Sequence, residues 1–152
     1  MTKDQFWEII AASREGFDPA DMEASQERQL TRLQELLSQL SAEEVQAFAQ
    51  HFGDRMKEAY LPATRRSKWG SPLDGLWGVA YQMGGGCSND SFEDFRGWLI
   101  SMGREAFEAA VRDPETVYGL VEPAEDVSDI IFFDGFQYVV SRVWREKTGQ
   151  AD

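Results

Sequence analysis

The chain has 152 residues, of which 42% are hydrophobic, with five tryptophans and ten phenylalanines; that is enough to bury a core, and it excludes a disordered polymer. Its 27 acids and 15 bases leave a net charge of −12, which repels nucleic acid and anionic membranes unless a basic patch is segregated. No apolar run reaches the ~20 residues that span a bilayer, the start MTKDQFWEII lacks a leader pattern, and one cysteine allows no internal disulfide, so a cytoplasmic protein is expected.

Helical spacing dominates from the first residues. Thr2 and Gln5 form a capping-box pattern ahead of Phe6, Trp7, Ile9 and Ile10. Asp18-Pro19 predicts the start of a second helix, with Leu30, Leu33, Leu37 and Leu40 as its buried stripe. Ser41 and Glu44 box the start of a third, whose apolar face is Val45, Phe48, Phe52, Met56 and Ala59. Residues 61–70 hold Pro62, the basic run Arg65-Arg66-Ser67-Lys68 and Gly70, and read as an exposed loop.

Ser71-Pro72-Leu73-Asp74 predicts a fourth helix carrying Leu76, Trp77, Ala80 and Tyr81, ended by Gly84 in the left-handed conformation. Ser91 and Asp94 form a further capping pattern before Phe92, Phe95, Leu99 and Met102, and Gly103 interrupts that helix before Arg104. Asp113-Pro114 marks another break, and 120–127, around Pro123, reads as a second exposed loop. In IIFFDGFQYVV, Asp134-Gly135 is a hairpin signal, yet a lone hairpin in a helical protein is marginal. Val139, Val140, Val143 and Trp144 suit a helix closed by Gly149, which is the preferred reading. The expectation is an all-α, single-domain bundle of about six to eight helices over 1–152, with Leu30, Phe48, Phe52, Trp77, Phe95, Leu99 and Val143 buried.

The run GGGCSND, Gly84 to Asp90, is the first candidate site. Glycine backbone N–H groups and the start of the next helix can hold a phosphate or carboxylate, with Arg96 and Arg104 adding charge. The run lacks the lysine and preceding strand of a P-loop and is no dinucleotide fingerprint. The competing reading is a structural turn in which Ser88, Asn89 or Asp90 caps the helix. Cys87 as a nucleophile needs a base, and the one histidine, His51, lies on another helix, so a packed thiol is the plainer reading. One Cys and one His preclude a Cys/His zinc site, and Asp90, Glu93 and Asp94 at a helix start suit capping better than metal binding. Trp77, Tyr81 and Trp98 read as core. No catalytic set, redox pair or cofactor motif stands out, so no cofactor is expected.

Charge is uneven along the chain. Glu105, Glu108, Asp113, Glu115, Glu122, Glu125, Asp126, Asp129 and Asp134 are opposed within their span by Arg112 alone. This is either a solvated surface or a docking face for a basic partner.

Several short matches run along the whole chain: Phe6-Trp7, Ala59-Tyr60, Leu76-Trp77, Gly85-Gly86-Cys87-Ser88, Asp90, Phe92, Asp94-Phe95-Arg96, Trp98-Leu99-Ile100, Gly103-Arg104, Asp113-Pro114 and Lys147-Thr148-Gly149. In this pattern the chain resembles a bacterial domain-of-unknown-function family, number 4240, with Asn89 where an acid is more usual. The resemblance implies a single helical domain and no particular reaction.

Two functions follow as expectations. The first is an acidic interaction protein without catalytic activity that binds a basic protein, as toxin-neutralising immunity proteins do. Glu122, Glu125, Asp126 and Asp129 would make that contact. The second is a small-ligand binder or enzyme built on Trp77, Tyr81, Gly85, Gly86, Cys87, Asp90, Arg96 and Arg104.

Overall fold

Helices begin where a side chain can take up the backbone N–H groups that the first turn leaves unpaired. In the computed structural model, which describes residues 1–64, 75–121 and 127–149 with backbone alone at 61–64, that rule locates most elements. The Thr2 hydroxyl accepts from the Gln5 N–H at 3.1 Å and the Gln5 side chain accepts from the Thr2 N–H at 2.8 Å, opening α1 (Lys3–Ser13). Asp18 caps a 3-10 turn (Pro19–Asp21), and Asp21 in turn caps α2 (Met22–Ser38). Asp18-Pro19 therefore opens the turn that leads into α2. Ser41 and Glu44 box the start of α3 (Ala42–Thr64) at 3.1 and 3.2 Å.

Helix α3 runs past Pro62, so the loop expected from Leu61 starts no earlier than residue 65; the remainder of that loop and the Ser71-Pro72 start lie outside the described residues. The next helix is α4 (Gly75–Gly84). Ser88 caps α5 (Asn89–Ser101), its hydroxyl accepting from the Ser91 N–H at 3.1 Å. The start expected at Ser91 thus moves three residues earlier, because Ser88 is the side chain that reaches the free N–H. Gly103, at φ 102° and ψ 171°, occupies a region open essentially to glycine alone and separates α5 from α6 (Arg104–Arg112). Asp113 caps a second 3-10 stretch (Pro114–Gly119). Then come α7 (Ser128–Ile131) and α8 (Gly135–Thr148), which ends at Gly149 with φ 69°.

The chain is all-α, with no strand among the described residues. The hairpin alternative is not realised, since Gly135 is the first residue of α8. Of the loop expected at 120–127, the described ends Val121 and Val127 are buried rather than exposed, their apolar side chains turned into the protein.

The chain gathers into two compact units. Unit 1 holds Met1–Asp54 and Gly135–Asp152; unit 2 holds Arg55–Asp134. In unit 1, α1 and α8 both pack on α2. Phe6 lies 4.8 Å from Phe48 and Phe52 5.9 Å from Phe136, centroid to centroid. Leu33, Leu37, Val45 and Val143 are fully buried with them. The α8 end is tied down by Lys147, which donates to the Ser38 carbonyl at 2.8 Å, and by the Trp144 indole N–H on the Gln46 side chain. In unit 2, Phe92, Phe95, Trp98, Leu99 and Ile100 of α5 are buried among Leu76, Ala80, Phe107, Val117 and Ile131. Each such large apolar side chain contributes about 1.5–3 kcal/mol through burial.

Of the residues expected in the core or on a buried face, Leu30, Leu40, Met56 and Trp77 are only half-buried, and Tyr81 is exposed. Leu30 sits beside the buried line of α2, which runs Met22, Gln26, Gln29, Leu33, Leu37. That line is polar in the middle, so a search for leucines alone is drawn one position off. Trp77 is half-buried, and its indole N–H bonds to the backbone after α4.

Candidate functional site

The three successive glycines have three separate local reasons. Gly85 (φ 70°) and Gly86 (φ 129°) adopt conformations that disfavour side chains, and the Gly86 N–H donates to the Tyr81 carbonyl at 2.8 Å. This is the helix-terminating bond of a Schellman cap. Gly84, expected to supply the left-handed residue, does not. It is glycine because a Cβ there would collide with Cε2 and Cζ of the Phe132 ring. Ser88 then caps α5, as the structural-turn reading requires.

Cys87 is held by its neighbours rather than activated by them. Its carbonyl accepts the Trp77 indole N–H at 2.9 Å, and its thiol donates weakly to the Ser88 carbonyl at 3.6 Å. Burial, with a further contribution from the negative charge of Asp94, pushes the thiol up to about 11. At neutral pH it is a thiol, the opposite of what a nucleophile needs. Alkylation of the folded protein by iodoacetamide should therefore be slow at pH 8 and accelerate towards pH 11; fast labelling at pH 7 would contradict this environment. Because the folded pKa lies above the ordinary 9.0, Cys87 supports the fold fully below pH 9 and that support fades as pH rises towards 11.

Arg96 is a strut. One terminal nitrogen donates to the Met56 carbonyl at 2.9 Å, and its guanidinium lies 5.0 Å from the ring centroids of both Tyr60 and Phe92. Burial lowers its pKa, opposed in part by the nearby charge of Glu93. Trp77 stacks on Phe92 at 5.0 Å with ring planes 4° apart, so Trp77, Phe92, Arg96 and Tyr60 form one layered cluster. Arg104 does not join it. It lies on α6, beyond the Gly103 break, and pairs with Glu108 at 3.3 Å on the surface. Asp90 is exposed in the first turn of α5, and Tyr81 is 44% exposed. The structure thus brings together Trp77, Cys87 and Arg96 and leaves Arg104 apart. Trp98, read as core, is fully buried. His51 is engaged in unit 1, where it stacks on Phe6 at 5.7 Å and its Nε2 lies 2.9 Å from the Met1 carbonyl.

The acidic third is exposed at several described positions. Asp113 and Glu115 are exposed around the 3-10 stretch, and Asp129 is exposed on α7, whereas Glu122, Glu125 and Asp126 lie outside the described residues. Tyr118 donates to the Gln82 side chain at 2.9 Å, joining that acidic stretch to α4 beside Tyr81. All four tyrosines of the chain are exposed: Tyr60 at 41%, Tyr81 at 44%, Tyr118 at 43% and Tyr138 at 57%.

Sequence reasoning passed over a polar seam in unit 1. Ser13, Ser25, Gln26 and Gln29 are buried, and a cleft lies between α2 and the last residue of α1 with the turn that follows it. The available signal was polar residues at helical spacing within the buried line of α2. Among the described residues no group of three or more His, Cys, Asp or Glu is placed to hold a metal, and no helix is long and apolar enough to cross a membrane.

No curated protein and no solved structure matches the chain. The motifs around α4 and α5 that carry the Trp77–Cys87–Arg96 arrangement belong to a longer pattern. Residues 1–146 match the family described as "Protein of unknown function (DUF4240)", which covers all but the last six residues, and the chain is a member of that family.

Proposed function

We propose that this is a non-catalytic interaction protein that docks a basic polypeptide through an acidic, tyrosine-bearing face of unit 2. The supporting observation is that exposed Tyr118 bonds to Gln82, the sequence neighbour of exposed Tyr81, and shares its 3-10 stretch with exposed Glu115 and the exposed capping residue Asp113. Tyrosine offers a large apolar ring with a polar tip, which is why it is enriched where proteins meet. The surrounding carboxylates attract lysine and arginine and speed the encounter. The glycine turn supports the ligand reading less well, because each of its glycines already has a local structural cause. A toxin-neutralising binder is one case of the proposed class, supported by acidity and small size.

Capture of partners on the immobilised protein, followed by association kinetics on the captured partner, tests the reading. The partner should be basic, and its on-rate should fall with salt, since exposed charges are screened over about 8 Å at physiological ionic strength. Tyr81→Ala with Tyr118→Ala should slow or abolish capture. Reversing Glu122, Glu125, Asp126 and Asp129 to lysine should slow association further. A partner bound equally fast by these variants at low salt would end the proposal.

A further inference from the structure

The α1–α2 cleft of unit 1 has a volume of about 540 Å³, within the roughly 300–1,000 Å³ of small-molecule pockets. Its buried lining is polar where helix packing ordinarily places apolar groups. Ser13, Ser25 and Gln29 are 2%, 2% and 3% exposed. They are held in an ordered arrangement. Gln29 donates to the Ser13 hydroxyl at 3.2 Å, and Ser13 donates to the Ile10 carbonyl at 2.6 Å. The Ser25 hydroxyl donates to the Asp18 carbonyl at 3.2 Å and accepts from the Asp18 N–H at 2.9 Å.

Two guanidinium groups of the lining are fixed by different means. Arg28 donates to the Ser25 hydroxyl at 2.9 Å, while Arg14, at the end of α1, lies 4.1 Å from the Phe17 ring centroid. Burial lowers the pKa of Arg14. A third, Arg32, is balanced by Glu35 at 3.5 Å. Glu15 and Glu27 also line the cleft, so three guanidinium groups face three carboxylates. That balance disfavours a polyphosphate. It suits a molecule carrying both signs of charge.

We propose that the cleft binds a small zwitterion of the free amino-acid class, with its carboxylate on Arg14 and Arg28, its ammonium towards Glu15 or Glu27, and its polar body against Ser13 and Gln29. The full-length protein can be titrated with pooled free L-amino acids, with their α-carboxamides and with inorganic phosphate, following the Arg Nε–H signals by NMR. Saturable shifts of the Arg14 and Arg28 signals are expected with amino acids, and not with the carboxamides, which lack the anionic head. Arg28→Gln should weaken binding about tenfold or more, equivalent to about 1.4 kcal/mol. Arg28 is exposed, so this variant keeps the test valid even if Arg14→Gln unfolds. Arg112→Gln, on the surface of unit 2, should bind as the parent does. The proposal fails if no amino acid gives a saturable shift, if carboxamides or phosphate bind equally well, or if a folded Arg28→Gln binds unchanged.

Discussion

Phe92→Ala should destabilise the protein by about 3–5 kcal/mol, the range for deleting a buried aromatic side chain. Phe92 is 1% exposed and sits at the centre of its cluster. Trp77 stacks on it at 5.0 Å, Phe95 lies at 5.9 Å and Tyr60 at 6.3 Å, and the Arg96 guanidinium rests 5.0 Å from its centroid. Truncation leaves a cavity and removes one of the two rings that flank a partly buried cation. Against a typical total of about 5–15 kcal/mol, such a loss threatens folding itself. Phe92→Leu, which restores most of the volume, should cost far less. Urea unfolding of the two variants measures the difference. A loss below about 1 kcal/mol for Phe92→Ala would mean that the neighbours collapse into the space and that the stack is not a structural centre.

Gly84→Ala should cost about 1–3 kcal/mol, the range for overpacking a filled site. Two effects of opposite sign meet here. Alanine is the better helix former by about 1 kcal/mol, and Gly84 closes α4 without a positive φ, so the backbone does not demand glycine. The Phe132 ring does demand it, because two of its carbons occupy the place a methyl group would take. In a Phe132→Ala background the sign should reverse, and Gly84→Ala should become neutral or stabilising. Thermal unfolding of the four proteins in this cycle decides the matter. A stabilising Gly84→Ala in the parent would show that the ring moves aside freely.

Polar punctuation and helical spacing made most of the fold legible in the sequence. Thr2, Ser41, Asp113 and Gly149 each stand where an element begins or ends, and the lines Phe48–Phe52 and Phe95–Leu99 are buried. What stayed hidden depends on side chains distant in sequence. Nothing near Gly84 announces Phe132, so the conformational and the steric glycines of one run could not be told apart. Arg96 and Arg104 would lie two turns apart on a continuous helix, and the break expected at Gly103 is present and divides them. Arg96 also gives no local sign that its partner is the carbonyl of Met56, 40 residues earlier. Polar residues inside an apolar stripe, such as Ser25 and Gln29 on α2, are easily discounted as noise, although here they build a buried seam.

The division into two units has a consequence for synthesis. Unit 2 is one uninterrupted stretch of chain, whereas unit 1 is assembled from both ends of the sequence. A nascent polypeptide that has emerged only as far as Asp134 already possesses every residue of unit 2. It still lacks α8, and with it the ties from Trp144 to Gln46 and from Lys147 to Ser38, which span 98 and 109 residues. Closing loops of that length carries a larger entropy cost than any contact within unit 2 of shorter span. Until α8 emerges, Phe52 therefore waits without the ring of Phe136, and apolar surface left uncovered in this way is what makes a partly synthesised chain prone to aggregate.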